Sequence, residues 1–146
     1  MRRTSLLATL AVTAIALTVG CRENPIAPPS GLSVTLSVTN ASAPFPPPTV
    51  QATEDSIIAT YVSGVSGCDD YHADAGLRSG TMVITITAVS APDRMCFAVL
   101  ASATYRAVVH GAPAGRYPVV VASRRMQSDG KSSPSSEIVR QVVTLP

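Results

Sequence analysis

The chain predicts an all-β fold, a single β-sandwich of about seven strands, and three observations carry that expectation. Apolar and polar residues alternate with a period of two in segment after segment. Clusters of Gly, Pro and Ser separate those segments at short spacing. Beyond residue 20, no segment repeats its apolar residues at helical spacing.

The first element differs from the rest. Met1-Arg2-Arg3 is positive, Thr4 to Gly20 carries no charge, and Gly20 sets a small residue before Cys21. That order is an export signal. As a spanning helix, which needs about 20 predominantly apolar residues, it is slightly short and diluted by Thr4, Ser5, Thr9, Thr13 and Thr18. As a general signal-peptidase site it fits loosely, because Val19 is bulky. The run Leu17-Thr18-Val19-Gly20-Cys21 resembles the lipobox of bacterial lipoprotein precursors, with Thr18 where that family prefers Leu. The resemblance implies removal of residues 1–20, acylation of Cys21 by diacylglycerol and a fatty acid such as palmitate, and anchoring through that lipid. Arg22 follows the cysteine where an Asp would mark inner-membrane retention. The expected location is therefore the outer membrane, facing the periplasm or the cell surface.

Cleavage there leaves Cys21 to Pro146 and removes Arg2 and Arg3, so 9 basic residues face 9 acidic ones. The formal +2 belongs to the signal. A near-neutral domain lacks the clustered basic face that nucleic acid requires, and no nucleic-acid partner is expected. Three cysteines is an odd count that calls for an explanation in an exported chain. Lipidation of Cys21 leaves Cys68 and Cys96 as a disulfide pair in an oxidising compartment. Their wide separation, with no CxxC spacing, argues against a structural metal.

Residues 21–30 form a tether, with three prolines between Arg22 and Pro29 and no periodicity. Residues 31–146 form one domain. Leu32 to Thr39 alternates Leu, Val, Leu, Val against Ser, Thr, Ser, Thr, which makes a half-buried strand. Ala43 to Pro48 interrupts regular structure, since proline cannot donate to a ladder. Ser56 to Val62 is the second strand, ended by Gly64 and Gly67. Tyr71 to Leu77 is the third, with Tyr71, Ala73, Ala75 and Leu77 on one face and Asp70, His72 and Asp74 on the other. Thr81 to Val89 is the strand richest in β-branched residues. Ala101 to Val109, the valine-rich Tyr117 to Ser123, and Ile138 to Leu145 complete the count. Arg124 to Ser136, polar and rich in Ser and Gly, reads as a mobile loop.

The stretch Pro113-Ala114-Gly115-Arg116-Tyr117-Pro118-Val119-Val120-Val121 resembles the P-A-G-x-Y-x-V-x-V pattern of extracellular Ig-like and fibronectin type III-like modules. The resemblance implies an Ig-like sandwich with Tyr117 at a tyrosine corner, its hydroxyl bonded to backbone across the turn. The chain departs from antibody domains in having no Trp, and its two remaining cysteines flank a hairpin rather than bridge the sheets. An eight-stranded barrel is the structural alternative.

Candidate chemistry is sparse. Asp69, Asp70, His72 and Asp74 carry metal-ligating groups, but alternate ligands on a flat strand converge poorly, and a solvated strand face is the expected outcome. His72 and His110 are the two histidines, and neither lies in a nucleophile or metalloprotease motif. Ten arginines against one lysine are scattered, with Arg124-Arg125 the adjacent pair in the domain. No catalytic centre and no cofactor are expected. The expected role is a binding or structural module whose partner is an envelope protein, a glycan or a small ligand. The alternatives are a protease inhibitor acting through 124–136, or a metal-binding domain using the Asp69 to Asp74 segment.

Overall fold

The computed structural model describes residues 31–91 and 101–146; Cys21 with its signal segment and tether, and Cys96, lie outside the described residues. Eight strands occur in order: β1 (Ser33–Asn40), β2 (Thr49–Ala52), β3 (Ser56–Val65), β4 (Asp69–Arg78), β5 (Thr81–Ser90), β6 (Ala101–His110), β7 (Gly115–Met126) and β8 (Ser136–Leu145). They form two four-stranded sheets, ordered β1-β6-β3-β2 and β4-β5-β7-β8. The alternation thus predicts the sandwich correctly, and the strands number eight rather than about seven. The added strand is β2, four residues paired with Ile57 to Thr60 of β3. It is too short to display a period.

The ladders of the first sheet are all antiparallel. In the second sheet β5 pairs antiparallel with β4, and β7 with β8, but β5 and β7 run parallel at its centre. The chain leaves β5, crosses to the first sheet as β6, and returns as β7 beside β5. Immunoglobulin sheets are antiparallel, so the strand order departs from that pattern. The central position explains the composition of β7. Val119 and Val121 face the core, and Val120 and Ala122 on the alternate face are also buried, as suits a strand flanked by neighbours on both edges.

The core is the seam between the sheets. Met82, Ile84, Val119 and Val121 meet Ile57, Ala59, Ala107 and Val109, all at or near zero exposure. The open sides are closed by contacts of β1 with β4 and of β2 with β8. On the β2 side, the Gln141 side-chain carbonyl accepts the Val50 amide at 3.2 Å, satisfying an edge donor from the opposite sheet.

The seventh strand is longer than its apolar pattern predicts. It continues to Met126, because its ladder with β5 persists through Ser123, Arg124 and Arg125. Periodicity of apolar residues stops at Ser123, so the sequence conceals this extension. The expected mobile loop is therefore shorter, residues 127–135, and it is fastened at its base. Ser133 donates its amide to the Arg125 carbonyl at 2.8 Å, and its hydroxyl accepts the Arg125 amide at 3.0 Å. Gln127 donates to the Lys131 carbonyl at 2.8 Å, closing the turn.

At the end where β1 begins, the β6–β7 turn packs against the start of the described chain. Gly111 has φ +78°, and a Cβ there would lie on the Gly31 carbonyl. Glycine is required on both counts.

Candidate functional site

At the opposite end, where β3 runs out and β4 begins, small residues replace the large ones of the core. Ser63, Gly64, Ala88 and Ser123 line a cleft of about 250 Å³ with Ile86 and three tyrosines, and Ser133 and Pro134 of the β7–β8 loop form its rim.

Register places the tyrosines together. Tyr61 and Tyr105 are directly opposed in the β3–β6 ladder, so their rings stack at 4.9 Å and 9°. Tyr71 projects from the other sheet and meets Tyr105 edge-on at 5.3 Å and 66°. Such pairs contribute about 0.5–1.5 kcal/mol beyond the area they bury. The Tyr105 hydroxyl donates to the Gly64 carbonyl at 3.1 Å. The Tyr71 hydroxyl accepts the Ser66 amide at 3.0 Å. The Tyr61 hydroxyl bonds to no described residue, although the residue is only 4 % exposed. Burial, with the neighbouring Tyr71 adding to it, pushes the Tyr61 hydroxyl well above its ordinary range. Burial does the same to Tyr105. Both are neutral, proton-bearing groups at physiological pH.

A charged wall stands beside them. Asp69 pairs in register with Ser90, and Ala88 with Arg125, so Asp69, Ser90 and Arg125 project from the inward face of their three strands. The Arg125 guanidinium donates to the Asp69 carboxylate at 2.6 Å across β5, and Ser90 Oγ donates to the same carboxylate at 3.3 Å. The carboxylate is 2 % exposed and the guanidinium 55 %. Arg124 takes the other face, its Nε donating to Thr87 Oγ1 at 2.9 Å.

The other sequence candidates are dispersed. Tyr71, Ala73, Ala75 and Leu77 pack on the core, as their alternation predicts, and His72 and Asp74 are exposed on the outer face of β4. Asp69 faces inward, away from that set, and among the described residues no three of His, Cys, Asp and Glu gather as a metal site. Cys68 lies in the turn before β4, where its amide donates to Ser66 Oγ at 3.2 Å. Its carbonyl accepts the Ala91 amide at 2.9 Å. Tyr117 donates to the Pro113 carbonyl at 2.8 Å, with Gly115 against its ring and hydroxyl. His110 Nδ1 stands 3.9 Å from Asp55, both well exposed, and the nearby Ser56 hydroxyl is bonded to Thr53 Oγ1.

Sequence reasoning passed over Arg125 and treated Asp69 as part of a surface cluster. The signal was present in the β4 alternation, since a period of two that turns Tyr71 inward turns Asp69 inward also. A buried carboxylate needs a cation. The chain matches no family model, no curated protein and no solved structure.

Proposed function

We propose that this chain is a lipid-anchored, non-catalytic binding module of the bacterial cell envelope. The order of basic, apolar and small residues before Cys21 supports the anchor, and Arg22 favours the outer membrane. The observation that carries the binding role is the cleft, lined by aromatic rings, a half-exposed guanidinium and serine hydroxyls between the two sheets.

A disulfide between Cys68 and Cys96 belongs to the same reading. Cys68 is engaged, and its carbonyl holds the Ala91 amide, so the chain leaves β5 beside it. Cys96 comes five residues after Ala91. The bridge would brace the cleft end of the β4–β5 hairpin. An Ig-like kinship rests on the turn from Pro113 to Tyr117.

The test is the intact mass of the protein from the membrane fraction, with thiols alkylated before and after reduction. The expected result is cleavage before Cys21, added acyl chains, and two further thiols that appear only on reduction. An uncleaved N-terminus or an unlipidated Cys21 would overturn the anchor. Capture from detergent-solubilised envelope, with the lipidated protein as bait, tests the binding role.

A further inference from the structure

We propose that the cleft between the sheets takes a small organic carboxylate, held by the Arg125 guanidinium and the Tyr61 hydroxyl. The proposal rests on the binding-module reading and names the ligand class for it. Two independent features point to a ligand. The first is the Tyr61 hydroxyl, a donor carried on a residue only 4 % exposed, lining the cleft and bonded to no described residue. Its two neighbours spend their hydroxyls on Gly64 and Ser66 backbone, so Tyr61 alone of the three is uncommitted. The second is Arg125, which lines the cleft, commits one N–H to Asp69, and has further N–H groups to donate from a half-exposed side chain.

The donor set decides the class. Tyr61, Arg125, Ser63 and Ser123 offer O–H and N–H groups, while the carboxylate of the neighbourhood, Asp69, is already taken by Arg125 and Ser90. A complementary ligand is therefore rich in acceptors, and a carboxylate matches a guanidinium fork in plane and charge. The cleft, at about 250 Å³, lies below the ~300–1,000 Å³ of sites for drug-sized molecules. The occupant is the size of an amino acid, a hydroxy acid or one sugar-acid ring.

The chain has no Trp and four Tyr, three of which border the cleft, so intrinsic emission reports on the site without a label. Detergent-purified full-length protein is titrated with acetate, L-lactate, L-glutamate and D-glucuronate, and with D-glucose as the neutral counterpart of glucuronate. The expected result is a saturable change in tyrosine emission with at least one carboxylate and none with glucose. Tyr61→Phe removes a hydroxyl that holds nothing in the fold, so stability should stay unchanged while affinity falls about three- to tenfold. Arg125→Lys keeps a cation for Asp69 but loses the planar fork, and affinity should fall further. Equal responses to glucose and glucuronate would overturn the carboxylate assignment. No saturable response to any carboxylate up to about 10 mM, above even millimolar affinity, would overturn the site. If the same lipidated protein, wild type and Tyr61→Phe alike, still captures a partner from solubilised envelope, the cleft falls and the binding module stands. Loss of both results removes both.

Discussion

Arg125 crosses β5 to place its guanidinium 2.6 Å from the Asp69 carboxylate, linking residues 56 positions apart in the chain. The two ends of this pair are unequal, with Asp69 2 % exposed and Arg125 55 %. Removing the arginine strands a buried charge, whereas removing the aspartate frees an arginine that can turn to water. Arg125→Ala should therefore cost about 2–3 kcal/mol and Asp69→Ala about 1 kcal/mol or less, the half-exposed geometry reducing both below a fully buried pair. Urea denaturation of the two single variants and the double variant checks this. Equal costs for the two single changes would contradict the asymmetry.

Gly115 and Tyr117 form a second coupled pair. Gly115 has φ +147°, and a Cβ there would stand 3.2 Å from the Tyr117 hydroxyl. Gly115→Ala is expected to lose about 1–2 kcal/mol through backbone strain and crowding. Tyr117→Phe should lose about 0.5–1 kcal/mol with the bond to Pro113, which is exposed. In the double variant the losses should sum to less than the two singles, because Phe relieves part of the crowding. Thermal melts of all three would detect it.

Alkaline pH should unfold the protein through Tyr61 and Tyr105. Their folded-state values are raised by burial, so the native state keeps two protons that the unfolded chain releases near pH 10. Stability is then full below that value and falls as pH rises above it, by up to about 1.4 kcal/mol per pH unit for each tyrosine. Absorbance at 295 nm, tracked together with circular dichroism, should show these two phenolates appearing only as the strands are lost. A Tyr61→Phe, Tyr105→Phe double variant should show a shallower alkaline decline.

The proposed Cys68–Cys96 bridge predicts that joint replacement of both cysteines by Ala lowers stability by about 3–4 kcal/mol, the loop-closure entropy such a bridge would remove. An unchanged denaturation midpoint would show that the two cysteines are not joined.

Much of this architecture was legible one strand at a time. Leu32 to Thr39 and Tyr71 to Leu77 announced their faces because a period of two is a local property, written within a single segment. Pairing is not local. Nothing within β5 or β7 states that Met82 will lie beside Val119 in a parallel ladder, and nothing within β2 distinguishes four residues after a proline run from loop. The end of β7 was hidden for a related reason. Ser123 and Arg125 keep the alternation but are polar, so they read as solvent-facing until Asp69 and the cleft are set opposite them. The tyrosine cluster was half legible. Individual tyrosines suggested core, but the stacking of Tyr61 on Tyr105 depends on the register of two strands that lie far apart in the chain.

The contact between Gly31 and Gly111 has a mechanical meaning. It puts the entry of the chain at one pole of the sandwich, beside His110 and Ser56, while Gly64 borders the cleft farther along β3, about 26 Å away. A tether rising from a bilayer would therefore enter at the pole remote from the cleft, and a ligand held there would pull against the anchor along the strand axes. The strand that takes this load is β1, joined to β6 by an antiparallel ladder that runs its whole length. Tension along its axis would shear those pairs together rather than peel them one by one, the loading in which a hydrogen-bonded ladder shares the force among all its pairs.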